Sequence, residues 1–127
     1  MHDLSGVWSG VYRFPRLRPP VNFSATLTHA GEWLSGGIAE KVFAGLAHTV
    51  LTSTVMGRCS GSEVTFMKTY DRQVGGYDAV SYSGTVDARG LEISGVWSIP
   101  GNWSGTFTMV RARGTDEAVE REAVETV

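Results

Sequence analysis

Glycine divides this chain in a way that leaves few folds open to it. The 127 residues include 16 glycines, and between them run short segments in which apolar β-branched and aromatic side chains alternate with small polar ones. Alternation with period two is the pattern of a strand with one face buried, and frequent glycine disfavours helix interiors. Eight strands are predicted, at about 4–14, 22–29, 32–40, 48–60, 62–71, 78–87, 90–99 and 103–112. Several breaks carry turn chemistry: Ala30-Gly31, Ser60-Gly61, Asp87-Ala88-Arg89-Gly90 and Pro100-Gly101-Asn102. Nothing between the strands is long enough for a helical crossover, so sequential strands must pair antiparallel.

Eight consecutive antiparallel strands suit an all-β, up-and-down β-barrel, with a two-sheet sandwich as the rival. Connection lengths favour the barrel. Breaks after strands 2, 4 and 6 are tight, whereas those after 1, 3 and 5 run through Pro15–Val21, Lys41–Ala47 and Arg72–Tyr77. In a meander the odd-numbered connections share one end, which predicts an elaborated mouth and a tightly closed base. The barrel domain spans residues 1–113. Residues 114–127 form an acidic tail, disordered or a short helix, in which Thr115 can cap a turn and Glu117, Arg121 and Glu125 follow at intervals of four.

Charge narrows the function. The tail carries five acids against Arg121, so the overall charge of -2 hides a body of about +2. That is far from the basic stripe of a nucleic-acid-binding domain, and nucleic acid is not an expected partner. No apolar run is long enough to span a membrane, and no Cys/His spacing suggests a metal. The opening residues Met1-His2-Asp3-Leu4-Ser5-Gly6 have no basic or apolar leader character, and Cys59 has no partner for a disulfide. A cytoplasmic protein without a cofactor is the expectation.

Gly6-Val7-Trp8 in the first strand, with Arg111 near the end of the last, resembles the Gly-x-Trp signature of the calycin barrels: lipocalins, fatty-acid-binding proteins and avidins. The resemblance implies that Trp8 packs at the closed end beneath Arg111. Strand count, length and the closing Gly105-Thr106-Phe107-Thr108 are most similar to avidins. The likeness covers roughly residues 4–112. Avidins place Asn two residues and Ser six residues beyond the first-strand Trp to hold biotin, where this chain has Gly10 and Phe14, so it does not extend to biotin. Ser5-Gly6-Val7-Trp8-Ser9 recurs as Ser94-Gly95-Val96-Trp97-Ser98, and Trp8-Ser9-Gly10 as Trp103-Ser104-Gly105. Strands flanking the closure can solve one packing problem in the same way, or these Trp residues can stack on a ligand.

The period-two phase sorts side chains inward. Inward positions are Trp8, Tyr12 and Phe14 on strand 1, with Phe23, Ala25, Leu27, Leu34 and Ile38 on the next two. Val64, Phe66, Val80, Tyr82, Ile93, Trp97, Ile99, Trp103, Phe107 and Met109 complete the set on strands 5 to 8. Strand 4 is ambiguous. Leu51, Val55 and Cys59 make its more apolar face, with Arg58 outside, although Val50 and Met56 blur the phase. Cys59 reads as a small buried hydrophobe, and His29 and His48 as structural histidines.

In strand 5 the inward phase runs on into Lys68 and Tyr70. A buried ammonium needs a partner: either Glu40, at the inward end of strand 3, or the polar end of a bound molecule. Candidate ligand-binding residues are therefore Tyr12, Lys68, Tyr70, Tyr82, Trp97 and Trp103. Arg16, Arg18, Lys41 and Arg72 add positive charge at the mouth. The expected function is non-catalytic binding of a small apolar or amphipathic molecule with an anionic head. Two other classes stand beside it. A cavity enzyme would have to build a base or nucleophile from Lys68, Tyr70, Tyr82 and Asp71, which follow no recognisable spacing. A homo-oligomeric interaction module would use the outward Val7, Val11, Val96 and Val110 of strands 7, 8 and 1.

Overall fold

The computed structural model describes residues 2–111 except 45–46, 75–76 and 102, and the side chains of 42–48 and 72–78 are outside the description. The expected tail at 114–127 and the side chains of His48 and Arg72 thus lie outside the described residues. Eight strands follow in order: β1 (Gly6–Arg13), β2 (Val21–Ala30), β3 (Trp33–Ala44), β4 (Ala47–Ser60), β5 (Glu63–Val74), β6 (Tyr77–Val86), β7 (Glu92–Ser98) and β8 (Ser104–Val110). Each pairs antiparallel with the next, and β1 pairs with β8, so the sheet closes into a barrel and no sandwich forms.

The mouth differs from expectation. Lys41–Ala47 and Arg72–Tyr77, read from sequence as long connections, are largely strand. β3 and β4 pair out to Ala44↔Ala47, and β5 and β6 pair again at Val74↔Tyr77 after a register shift beyond Thr69. Only two residues of sequence separate the paired strands in each case, and Gly75-Gly76 is a hairpin dipeptide in the sequence. Two long hairpins therefore stand at the mouth. On the outer wall Asp71 ties them together, accepting from Thr52 Oγ1 at 2.6 Å and Thr54 Oγ1 at 3.1 Å.

Inside, the alternation resolves as the phase predicts. Trp8, Ala25, Leu34, Val64, Ile93, Phe107 and Met109 are fully buried, with Phe14, Ile99 and Trp103 packed against them. Each such side chain of ordinary size stabilises the barrel by about 1.5–3 kcal/mol. On β4, Val55 and Cys59 point in, while Val50, Met56 and Arg58 are exposed. Glycine serves close approach at two sites: the Phe23 ring lies on Gly10 and the Trp97 ring on Gly105, where a Cβ would clash.

The base is closed by the N-terminal segment. Trp8 donates from Nε1 to the Leu4 carbonyl at 2.9 Å, and the Arg111 guanidinium lies 4.7 Å above the Trp8 ring. That guanidinium donates to the carbonyls of Gly90 (3.0 Å), Ser5 (2.9 Å) and Asp3. His29 Nδ1 accepts the Leu4 amide at 3.0 Å, and Ser5 Oγ accepts the His29 amide at 2.9 Å. Burial pushes the Cys59 thiol above its ordinary range, so it stays protonated and unreactive.

Candidate functional site

Toward the mouth the inward phase of four strands converges on charge. Glu40 ends the stretch of β3 that pairs with β2, opposite Phe23, and Lys68 stands on β5 opposite Val80. Both are almost completely buried, at 3% and 2% exposure. Lys68 Nζ donates to Glu40 Oε2 at 3.2 Å, while Tyr12 and Tyr70 each donate a phenol hydrogen to Oε1, at 3.1 and 2.9 Å. The ammonium also lies 4.8, 4.6 and 5.4 Å from the ring centres of Tyr12, Tyr70 and Tyr82. Three aromatic faces and one carboxylate thus surround a single cation, at distances where ring quadrupoles attract it.

Desolvation dominates the electrostatics. Burial lowers the Lys68 pKa, with Glu40 pulling it back up. Burial also raises the phenols of Tyr12, Tyr70 and Tyr82, and Glu40 raises them further, so all three remain donors at neutral pH. A pair of ions inside a barrel is rarely the most stable filling, because removing two charges from water costs several kcal/mol per ion.

An aromatic group adjoins the cluster on its β7–β8 side. Tyr12 meets Trp97 edge-on at 6.1 Å, Phe14 stacks on Trp103 at 5.1 Å, and Trp97 crosses Trp103 at 5.7 Å. Trp97 donates to the Arg13 carbonyl at 3.0 Å. Arg18 lies over both Phe14 (4.8 Å) and Trp103 (5.1 Å) at the lip, with Arg16 and Lys41 exposed. All six residues picked from sequence therefore fall in one continuous cluster, in which Glu40 bonds Tyr12, Lys68 and Tyr70 and the other three are reached through Lys68 and Tyr12. Ser53 was missed. It faces inward on β4, 3% exposed, between Ile38 and Tyr70 in register, and its Oγ has no hydrogen-bond partner among the described residues. Its place two residues before Val55 and six before Cys59 was the available signal. Trp103 Nε1 is likewise buried without a partner among the described residues.

Elsewhere the surface offers less. A cleft of about 450 Å³ opens at the base beside Leu4, Cys59 and Asp87. Its carboxylate is spent on the Leu91 and Glu92 amides and Arg89. Val7, Val96 and Val110 are exposed at 57%, 52% and 44%, and Val11 is partly covered. Ser9, Thr106 and Thr108 are interleaved with them in the register. No described helix is long and apolar enough to cross a membrane, and no group of three or more metal-ligating side chains occurs among the described residues. Compared with protein-family models and with curated proteins, the chain finds no match.

Proposed function

We propose that this calycin-like barrel binds a small amphipathic molecule through its mouth and performs no chemistry on it. The ligand's apolar body lies against Phe14, Trp97, Trp103 and Tyr12, and an anionic head stays at the lip among Arg16, Arg18 and Lys41. The observation that carries this reading is the buried Glu40–Lys68 pair with its tyrosines. A barrel interior that serves only stability is better filled with hydrocarbon, whereas a mostly apolar site with a few convergent polar groups is what small-molecule recognition uses. Lys68 is already neutralised by Glu40, so the lip, where Arg18 rests on two rings and keeps its charge in solvent, is the place for the ligand's anion. The buried free thiol of Cys59 suits a reducing, cytoplasmic setting.

The test is native mass spectrometry of protein purified from its own host, followed by displacement of a fluorescent fatty-acid probe. A co-purifying or displacing amphipath supports the reading; a ligand-free barrel that leaves the probe in solution rejects it. A second reading, self-association through Val7, Val96 and Val110, rests on their exposure. It predicts a dimer or tetramer in the same spectra, lost on Val96→Lys.

A further inference from the structure

We infer that the inner end of the ligand is an uncharged oxygen-bearing group, a hydroxyl or a carbonyl, received at Ser53. The inference rests on the binding reading above and specifies the chemistry at its deep end. Ser53 and the ion pair share one level of the barrel wall. Ser53 is opposite Ile38 on β3 and Tyr70 on β5, so Glu40 and Lys68 are its diagonal neighbours on either side. It lies six residues down β4 from Ala47, roughly 20 Å below that end of the hairpin at a strand's rise.

Three features decide the charge of the group that can sit there. The position an anion would take beside Lys68 is filled by the chain's own carboxylate, 3.2 Å away and held by two phenols as well. An incoming anion would strip Lys68 from Glu40 and leave a buried carboxylate unpaired. An incoming cation would be attracted to Glu40 but would share its three rings and its carboxylate with Lys68, at like-charge distance. The cluster as it stands is neutral, and burying a third charge beside it carries the full desolvation penalty. Against this, Ser53 Oγ is buried and has no hydrogen-bond partner among the described residues, so it can donate one hydrogen bond and accept another without giving up a hydrogen bond of its own, once the packed side chains beside it make room. An uncharged hydroxyl or carbonyl makes that bond and leaves the ion pair intact.

The experiment compares four probes with the same chain and head: dodecanoic acid, ω-hydroxydodecanoic acid, dodecanedioic acid and ω-aminododecanoic acid. Affinities are measured by calorimetry on the full chain and on Ser53→Ala. The hydroxy acid is expected to bind tightest, about five-fold above dodecanoic acid, as one net neutral hydrogen bond allows. The diacid and the amino acid are expected at least about ten-fold below it, because each buries a further charge. In Ser53→Ala the advantage of the hydroxy acid over dodecanoic acid disappears, while dodecanoic acid itself binds as before. Diacid or amino acid binding tightest overturns the inference, since the ion pair would then be opening to receive a charge. So does an unchanged preference for the hydroxy acid in Ser53→Ala. If dodecanoic acid binds and the hydroxy acid does not, the inner end is wholly apolar and the inference fails while the binding reading stands. If none of the four binds, it is the binding reading for such amphipaths that fails.

Discussion

Two cations, a buried lysine toward the mouth and a partly exposed arginine at the base, are held in different ways. At the base Arg111 spreads its fork over Trp8 and donates to three backbone carbonyls. Toward the mouth Lys68 sits among three tyrosine rings and donates to a carboxylate. Backbone carbonyls are fixed by the fold, do not titrate and carry no net charge to desolvate. The phenols titrate, and both ions of the pair pay desolvation. The base arrangement therefore behaves as a closure, and the mouth arrangement as an ion pair whose stability depends on both partners staying in place.

Removing one ion should separate the two ends most sharply. Lys68→Met leaves Glu40 buried without its counter-charge and should lower unfolding free energy by about 3–5 kcal/mol in urea titration. Lys68→Met combined with Glu40→Gln should recover a large part of that loss, because no buried charge is left over. Single and double variants equally destabilised would show that the pair is not a coupled unit. At the base, Arg111→Met strands three carbonyls, but water reaches this partly exposed corner. A loss of about 2 kcal/mol is expected, with Arg111→Lys recovering little because an ammonium cannot reproduce the fork.

The same contrast predicts opposite pH limits. Asp3 and Asp87, at the base, are held below the ordinary carboxylate value of 3.8, mainly by the Ser5 and Leu91 amides respectively. Their stabilisation is fully present above that value and is lost below it, as pH falls through their lowered native values. Tyr12, Tyr70 and Tyr82 are raised above the ordinary 10.0, first by burial. Above about pH 10 the unfolded tyrosines ionise while the native ones keep their protons, so stability falls as pH rises, by up to about 1.4 kcal/mol per unit for each tyrosine. Lys68, lowered from 10.5, works the other way and ceases to contribute above that value. Tyr70→Phe should flatten the alkaline limb of the urea-midpoint profile by about a third and leave the acid limb where it was. An unchanged alkaline limb would mean that these phenols are not buried in solution.

Legibility in the sequence followed how local each signal was. Eight strands and their phase came from alternation and turn residues carried within single segments, and the Trp8–Arg111 closure came from the family resemblance of one short motif. The Lys68–Glu40 pair was readable as an alternative because both residues continue an inward phase. It was not readable that Tyr12 and Tyr70 both spend their hydroxyls on Glu40, since three strands meet there and their relative stagger is a property of closure. The mouth hairpins were mistaken for loops because Lys41 and Arg72 interrupt the apolar pattern, although outside the closed barrel a strand has no core to face. Ser53 escaped notice because a serine in an inward phase resembles the many outward ones.

The smallest expected effect concerns two polar groups that lack partners, one at each end. Ser53 Oγ has none at all among the described residues, whereas His29 lacks one only at Nε2 and uses Nδ1 to receive the Leu4 amide. Ser53→Ala breaks no hydrogen bond and relieves a buried hydroxyl, so its urea midpoint should equal or exceed that of the parent, by less than about 1 kcal/mol. His29→Leu removes an acceptor from the segment that closes the base and orphans the Leu4 amide, and a loss of about 1–2 kcal/mol is expected. If Ser53→Ala instead costs as much as His29→Leu, the hydroxyl is bonded in solution, to water or to the Glu40 cluster. It would then be one more support of the ion pair, and Ser53 would have no uncommitted hydrogen bond to offer a ligand.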